Sequence, residues 1–119
     1  MPIQFKAGTI IHAYNIADQS NGNIKDRYIV LIADFDDEDD RAYGVAITTK
    51  FTYPLNPDEV KLPFNRTGSC KTGLSYESVA VCRWIVEIDP SDIGRRCGFV
   101  SGHLLDEIID QVQKYLDSN

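Results

Sequence analysis

Residues 27–33 read Arg-Tyr-Ile-Val-Leu-Ile-Ala. The run is apolar and rich in β-branched residues, and it lacks the polar–apolar alternation of a strand with one face in water. Strands that are covered on both faces carry apolar side chains in this continuous way. We therefore predict that residues 27–33 form a strand in the centre of a sheet.

Short strand patterns occur on both sides of this run, separated by loops with turn-forming residues. The other predicted strands are residues 9–14, 43–49 as the hairpin partner of 27–33, 60–62 as an edge strand among prolines 54, 57 and 63, and 78–88, with a bulge. The predicted loops and turns are residues 18–23, 36–40, 65–73 and 89–92. Residues 36–40 are all acidic and are predicted as a solvated turn; they lack the spacing of an EF-hand calcium loop.

A helix is predicted near the C-terminus. Apolar residues recur there at helical spacing, with Ser101 as a plausible N-cap and Asp106 and Glu107 in the early turns. The apolar positions are Leu104, Leu105, Ile108, Ile109, Val112, Tyr115 and Leu116. This stripe is expected to pack on the sheet. Several short strands followed by one helix indicate a small, strongly curved sheet or open barrel.

Composition favours one folded domain over residues 1–119. Hydrophobic residues make up 43% and charged residues 25%, which is ordinary for a globular protein. No apolar run is long enough to span a bilayer and no secretory leader is evident, so we expect a cytoplasmic protein. The three cysteines, Cys70, Cys82 and Cys97, suit neither a disulfide framework nor a zinc site.

The net charge of −6 opposes nonspecific nucleic-acid binding, so any RNA binding must use a local basic patch. The candidate cations are Lys25, Arg27, Lys50, Lys61, Arg66, Lys71 and Arg83.

The order of these pieces resembles the MazF/PemK family of toxins from bacterial toxin–antitoxin modules. The resemblance spans residues 8–116 and rests on four places in the right order. These are residues 8–11 (GTII), Arg27 with 28–32 (YIVLI), 47–49 (ITT), and 78–83 (SVAVCR) followed by 87–89 (EID) and 98–101 (GFVS).

The resemblance implies a mainly β, SH3-like open barrel of the MazF/PemK/CcdB type with one C-terminal α-helix. It also implies a homodimer, a metal-independent endoribonuclease that needs no cofactor, and control by a small antitoxin protein with a disordered tail. The substrate would be single-stranded RNA.

Cleavage by the substrate's own 2′-hydroxyl requires a base, an acid and cations near the phosphate. Arg27 matches the family's catalytic arginine and has donors suited to phosphate; the alternative is a surface ion pair with Asp26 or Asp34. Thr48 and Thr49 match the family's hydroxyl pair, and on a regular strand only one of them would face a phosphate.

Arg83 lies in the strand where PemK-like relatives carry an arginine and an aspartate two positions apart. Val81 and Arg83 occupy those places here, so the expected acid is absent and Arg83 is a candidate for phosphate binding. His12 and Glu77 are the alternative candidates for the general base.

RNA-binding roles are predicted for Lys25, Lys50, Lys71 and Tyr76. Lys71 lies in the glycine-bounded loop 68–73, which is interpreted as a wall of the RNA groove or as a plain connection. Trp84 and Tyr76 could stack on bases, or serve as core and interface residues.

Two other functions fit the same sequence. One is a noncatalytic barrel that binds a protein or a nucleic acid, suggested by the missing aspartate and the acidic charge. The other is a small-ligand protein with an SH3-like fold, for which no cofactor signal is present.

Overall fold

The computed structural model describes residues 4–19, 21–36 and 38–118. The elements are β1 (Gln4–Phe5), β2 (Thr9–Ala17), β3 (Ile24–Leu31), β4 (Phe35–Asp36), β5 (Ala42–Thr48), β6 (Glu59–Leu62), β7 (Ser78–Ile88), β8 (Ile93–Phe99) and α1 (Gly102–Asp117). A short 3-10 turn at Pro90–Asp92 joins β7 to β8. Among the described residues, no helix has the length and apolar character that a bilayer-crossing segment needs.

Six strands form one antiparallel sheet in the order β6-β7-β5-β3-β2-β8, and β1 pairs with β4 separately. Residues 27–31 of the predicted central run lie in β3, which begins earlier, at Ile24, and is hydrogen-bonded to β2 and β5; residues 32 and 33 follow the strand. Ile29, Val30 and Leu31 are fully buried there. Val30 packs on one face of the sheet, while Ile29 and Leu31 pack on the other. The run is continuously apolar because both faces of this strand are buried, as predicted.

The helix covers one face of the sheet. Ser101 caps it as predicted, since the N–H of Leu104 donates to Ser101 Oγ at 3.2 Å. Ile108 and Val112 are buried in the core formed with β6 and β7, whereas Ile109 is 40% and Leu116 52% exposed. The packed face of α1 is thus narrower than the predicted stripe.

The edges of the sheet approach each other through the loop that follows β6. The N–H of Phe99, at the end of β8, donates to the carbonyl of Lys71 at 2.9 Å. Strands β6 and β8 are the opposite edges of the sheet, so this contact requires the sheet to curl. The result is an open barrel. Strands β6 and β8 do not pair with each other, and the loop after β6 bridges them.

Three sequence expectations need correction. Strand β8 was not predicted, because its two glycines and two arginines hide the strand pattern. Strand β1 was also missed, and Asp36, predicted as turn, pairs with Gln4 in the short β1–β4 ladder. By contrast, the predicted bulge in β7 is present, where the register with β5 shifts between Val45 and Ala46.

Candidate nucleic-acid cleft

A cavity of about 750 Å³ lies where the start of β3, the end of β5, the middle of β7 and the loop before β7 meet. Seven of the eight predicted site residues border it: Lys25, Arg27, Thr48, Thr49, Lys50, Tyr76 and Arg83. They come from four separate parts of the chain, so only the curled sheet brings them together.

Arg27 projects from β3 into a narrow space between a carboxylate and an indole ring. Its Nη2 lies 2.8 Å from Oδ2 of Asp18, and its guanidinium carbon lies 4.6 Å from the centre of the Trp84 ring. The side chain is only 10% exposed. Within the described part of the chain its buried Nε–H finds no hydrogen-bond partner. The predicted alternative of a surface ion pair with Asp26 or Asp34 is wrong, because Asp18 is the partner.

The hydroxyl pair lies where β5 ends. The Oγ of Thr48 accepts the backbone N–H of Lys50 at 3.0 Å, which turns the chain out of the sheet. Because strand alternation stops at this turn, Thr48 and Thr49 both border the cavity. The expectation that only one of them faces the groove assumed a regular strand.

Arg83 projects from β7 beside the cavity and is held by an acid. Its Nη1 lies 2.8 Å from Oδ1 of Asp58, and its side chain remains 38% exposed. It also borders a smaller pocket of about 430 Å³ next to the C-terminal end of α1. A phosphate in the cavity would therefore compete with Asp58 for this guanidinium.

Lys71 is the predicted site residue that the cavity does not include. Its carbonyl accepts the N–H of Phe99, which commits this stretch of the loop to contact with β8. Only the later part of the loop, from Gly73 to Tyr76, forms a wall of the cavity. The interpretation of residues 68–73 as a groove wall thus holds only at Gly73.

Two aromatic rings flank the cavity in different ways. Tyr76 is 73% exposed, so its ring can meet a ligand directly. Trp84 is half-buried; it packs against the buried residues opposite α1 and beneath Arg27. Tyr76 therefore suits base stacking, whereas Trp84 chiefly supports the arginine.

The two candidate bases from the sequence do not border the cavity. The His12 ring meets the rings of Tyr14 and Tyr28 edge-on, at 5.1 and 5.4 Å between ring centres. Glu77 accepts the hydroxyl of Tyr53 and lies 3.1 Å from Nζ of Lys61. These hydrogen bonds, with Tyr53 first, lower the pKa of Glu77.

Three other carboxylates border the cavity, and the sequence pattern predicted no role in the site for them. They are Asp18 in the β2–β3 loop, Asp26 in β3 and Glu59 at the start of β6. The sequence shows a turn-rich loop before Arg27. It does not show that Asp18 of this loop, nine positions earlier, contacts the Arg27 guanidinium. No group of three or more His, Cys, Asp or Glu side chains suited to a metal ion lies in the described ranges.

The antiparallel sheet, its C-terminal helix and the cleft define a class of structure: the chain has the fold of the MazF toxins. The predicted fold class is thereby confirmed. MazF from Deinococcus radiodurans superposes with a TM-score of 0.72 at 15% identity, covering 97% of this chain and 98% of the other. The Mycobacterium tuberculosis toxin MazF-mt6 gives 0.63 at 17% identity, covering 90% and 95%.

A mycobacterial endoribonuclease in complex with its cognate antitoxin gives a TM-score of 0.65 at 13% identity, covering 97% of both chains. In sequence, no family model and no curated protein matches the chain. The likeness is one of backbone architecture, and it assigns no role to the individual residues of the cavity.

Proposed function

We propose that this chain is the toxin of a type II toxin–antitoxin module, a metal-independent endoribonuclease that cleaves single-stranded RNA. The observation that carries the proposal is the convergence of Arg27, residues 48–50 and Arg83 on one cavity. Paired cations, hydroxyls and an exposed aromatic ring at the edge of a groove are the features that hold an unstacked RNA strand.

In the proposed complex the scissile phosphate lies between the two arginines, and a neighbouring base stacks on Tyr76. The guanidinium groups and the hydroxyls of Thr48 and Thr49 donate to the phosphate oxygens, where charge grows in the transition state. The attacking group is the RNA's own 2′-hydroxyl. Lys25 and Lys50 bind flanking phosphates.

The proposed partners follow the same reasoning. A small antitoxin with an acidic tail would bind the cations of the cleft and exclude RNA. The antitoxin is supported by the fold shared with an endoribonuclease in complex with its cognate antitoxin. A homodimer is proposed as well, as the resemblance to the family implies.

Cleavage of a labelled single-stranded RNA in EDTA tests the activity. Wild type is expected to cut, and Arg27→Ala to lower the rate at least about 100-fold, the usual effect of removing one transition-state donor. Lys71→Ala is the matched control, since Lys71 lies outside the cavity and its loss should leave the rate within about twofold. Intact RNA after long incubation with wild type would exclude the proposal.

One observation favours a noncatalytic barrel as the second candidate. Both arginines of the cleft are already paired with carboxylates, Arg27 with Asp18 and Arg83 with Asp58. In that case the RNA stays whole in the same assay, and a protein partner co-purifies with the chain.

A further inference from the structure

We propose that Asp18 is the general base of the cleft, the carboxylate that accepts the proton of the attacking 2′-hydroxyl. This inference rests on the proposed ribonuclease function. Strand β7 contributes Val81 and Arg83 to the cavity but no carboxylate, and Asp18 supplies from the β2–β3 loop the acid–base group that this strand lacks.

The first support is location. Asp18 borders the same cavity as Arg27, Thr48 and Thr49, and its Oδ2 lies 2.8 Å from Arg27 Nη2. Its side chain is 23% exposed, so a ribose hydroxyl can reach the carboxylate. A base next to the cation that binds the phosphate can reach the 2′-hydroxyl, because the 2′-oxygen and the 3′-phosphate are carried by neighbouring carbons of one ribose.

The second support is rigidity, since a base must hold its position. The N–H of Asp18 donates to the carbonyl of Asn23 at 2.7 Å, and its carbonyl accepts the N–H of Gly22 at 2.8 Å. The side chain of the next residue, Gln19, donates to the carbonyl of Arg83 at 3.0 Å, which ties the loop to β7. The carboxylate thus sits on an anchored turn between two strands.

The third support is the comparison with the other acids. Asp26 lies on an exposed part of β3. Glu59 uses Oε1 to accept the N–H of Asn56 at 2.9 Å, which caps its own turn. Of the three carboxylates at the cavity, Asp18 is the one in contact with the buried guanidinium. In the described part of the chain, the other charged groups that line the cavity with Asp18 are Lys25, Asp26 and Arg27 of β3, Lys50 after β5, Glu59 of β6 and Arg83 of β7.

In the proposed step the 2′-oxygen attacks the phosphorus and displaces the 5′-oxygen. Asp18 takes the proton of the 2′-hydroxyl, the O2′–P bond forms, and the P–O5′ bond breaks with its electron pair leaving on O5′. That oxygen takes a proton from water, and Asp18 returns its proton to solvent. The products are a 2′,3′-cyclic phosphate and a 5′-hydroxyl. Arg27 stays paired with the phosphate throughout.

The Asp18→Asn variant distinguishes a catalytic base from a residue that only holds Arg27 in place. The amide oxygen of Asn still accepts from Arg27, but it cannot take a proton. We expect kcat to fall by about 100-fold or more. Affinity for a 2′-deoxy, uncleavable analogue should stay equal or tighten slightly, because a negative charge beside the phosphate is lost. The acid limb of the pH–rate profile should disappear. Asp18→Glu, which restores a carboxylate, should recover part of kcat.

Asp26→Asn is the matched control, a neutralised carboxylate on the same cavity that should leave kcat within about threefold. RNA with a 5′-phosphorothiolate at the cleaved bond, whose sulfur leaves without protonation, should not rescue Asp18→Asn, because attack and not departure is impaired. Thermal unfolding and binding of the 2′-deoxy analogue confirm that each variant is folded.

The outcomes separate this inference from the proposed function. If wild type does not cut RNA, the proposed ribonuclease function is wrong, and so is the assignment of Asp18 as its general base. If wild type cuts and Asp18→Asn keeps its rate and its acid limb, Asp18 is only a structural partner of Arg27. Rescue by the phosphorothiolate would make Asp18 the acid and overturn its role as base, and loss of activity in Asp26→Asn alone would move the base to Asp26.

Discussion

At the scale of single residues, Arg27 shows how its surroundings change the role of an ordinary side chain. Its guanidinium is held by Asp18 and the Trp84 ring, and its Nε–H is buried without a partner in the described residues. Burial weakens the competition of water for the remaining donors. An arginine held in this way is preorganised for an anion, because few rotamers remain to be lost on binding.

The three thiols yield a prediction at the same scale. Hydrogen bonding to Thr72 lowers the pKa of Cys70, burial raises that of Cys97, and burial raises that of Cys82 to about 12. Because the thiolate is the reactive form, we expect modification at pH 8 in the order Cys70, Cys97, Cys82. Mass spectrometry of time points with a disulfide reagent measures the order. Modification of Cys82 before the others would contradict the buried position of this thiol; Cys70→Ser should remove the fastest phase.

At the scale of elements, the loop between β6 and β7 closes the barrel by close backbone contact. Gly73 has a φ of +72°, and a Cβ there would lie 2.1 Å from the carbonyl oxygen of Cys97 in β8. At Gly98 a Cβ would lie 2.2 Å from the carbonyl oxygen of Lys71. Both positions therefore require glycine for the loop and β8 to touch.

Gly73→Ala is expected to destabilise the protein by about 3 kcal/mol. An alanine is strained at a positive φ, and its Cβ would also collide with the backbone carbonyl of Cys97, which cannot move freely. Gly22→Ala is the control: its φ of +73° is similar, but open space surrounds it, so the cost should be about 1 kcal/mol. Urea unfolding of the two variants measures the difference. An equal decrease in the free energy of unfolding for both variants would show that the contact between Gly73 and Cys97 is not tight.

At the scale of the whole molecule, an acidic chain carries a cleft of nearly balanced charge. The net charge is −6, yet the described residues at the cavity include four cations and three carboxylates. The cations are Lys25, Arg27, Lys50 and Arg83, and the carboxylates are Asp18, Asp26 and Glu59. RNA binding must therefore depend on local contacts more than on the overall field.

The salt dependence of RNA binding should be shallow. Four cations release few counterions, so the slope of log K against log salt concentration should be no steeper than about −3 for single-stranded RNA. Lys50→Ala should reduce the slope by about 0.7, whereas Lys71→Ala should not change it. Fluorescence anisotropy with the uncleavable 2′-deoxy analogue measures both. A change at Lys71 equal to that at Lys50 would show that RNA extends beyond the cavity.

Local pattern accounts for much of the fold. The central strand, its hairpin partner, the edge strand, the bulged β7 and the capped helix all follow from apolar periodicity and turn residues. Strand β8 does not, because Gly94, Arg95, Arg96 and Gly98 carry little strand signal and the pairing with β2 decides their conformation. The convergence of Arg27, residues 48–50 and Arg83 was expected only through the resemblance.

The sequence by itself determined β2, β3, β5, β6, β7, the helix and the residue types that a nucleic-acid site needs, because these depend on neighbours within a few positions. Tertiary structure alone decided that Asp18 holds Arg27, that Thr48 and Thr49 share one cavity, and that Lys71 lies outside it. Those facts depend on how far the sheet curls and where β5 ends, and both are set by packing between segments far apart in the chain.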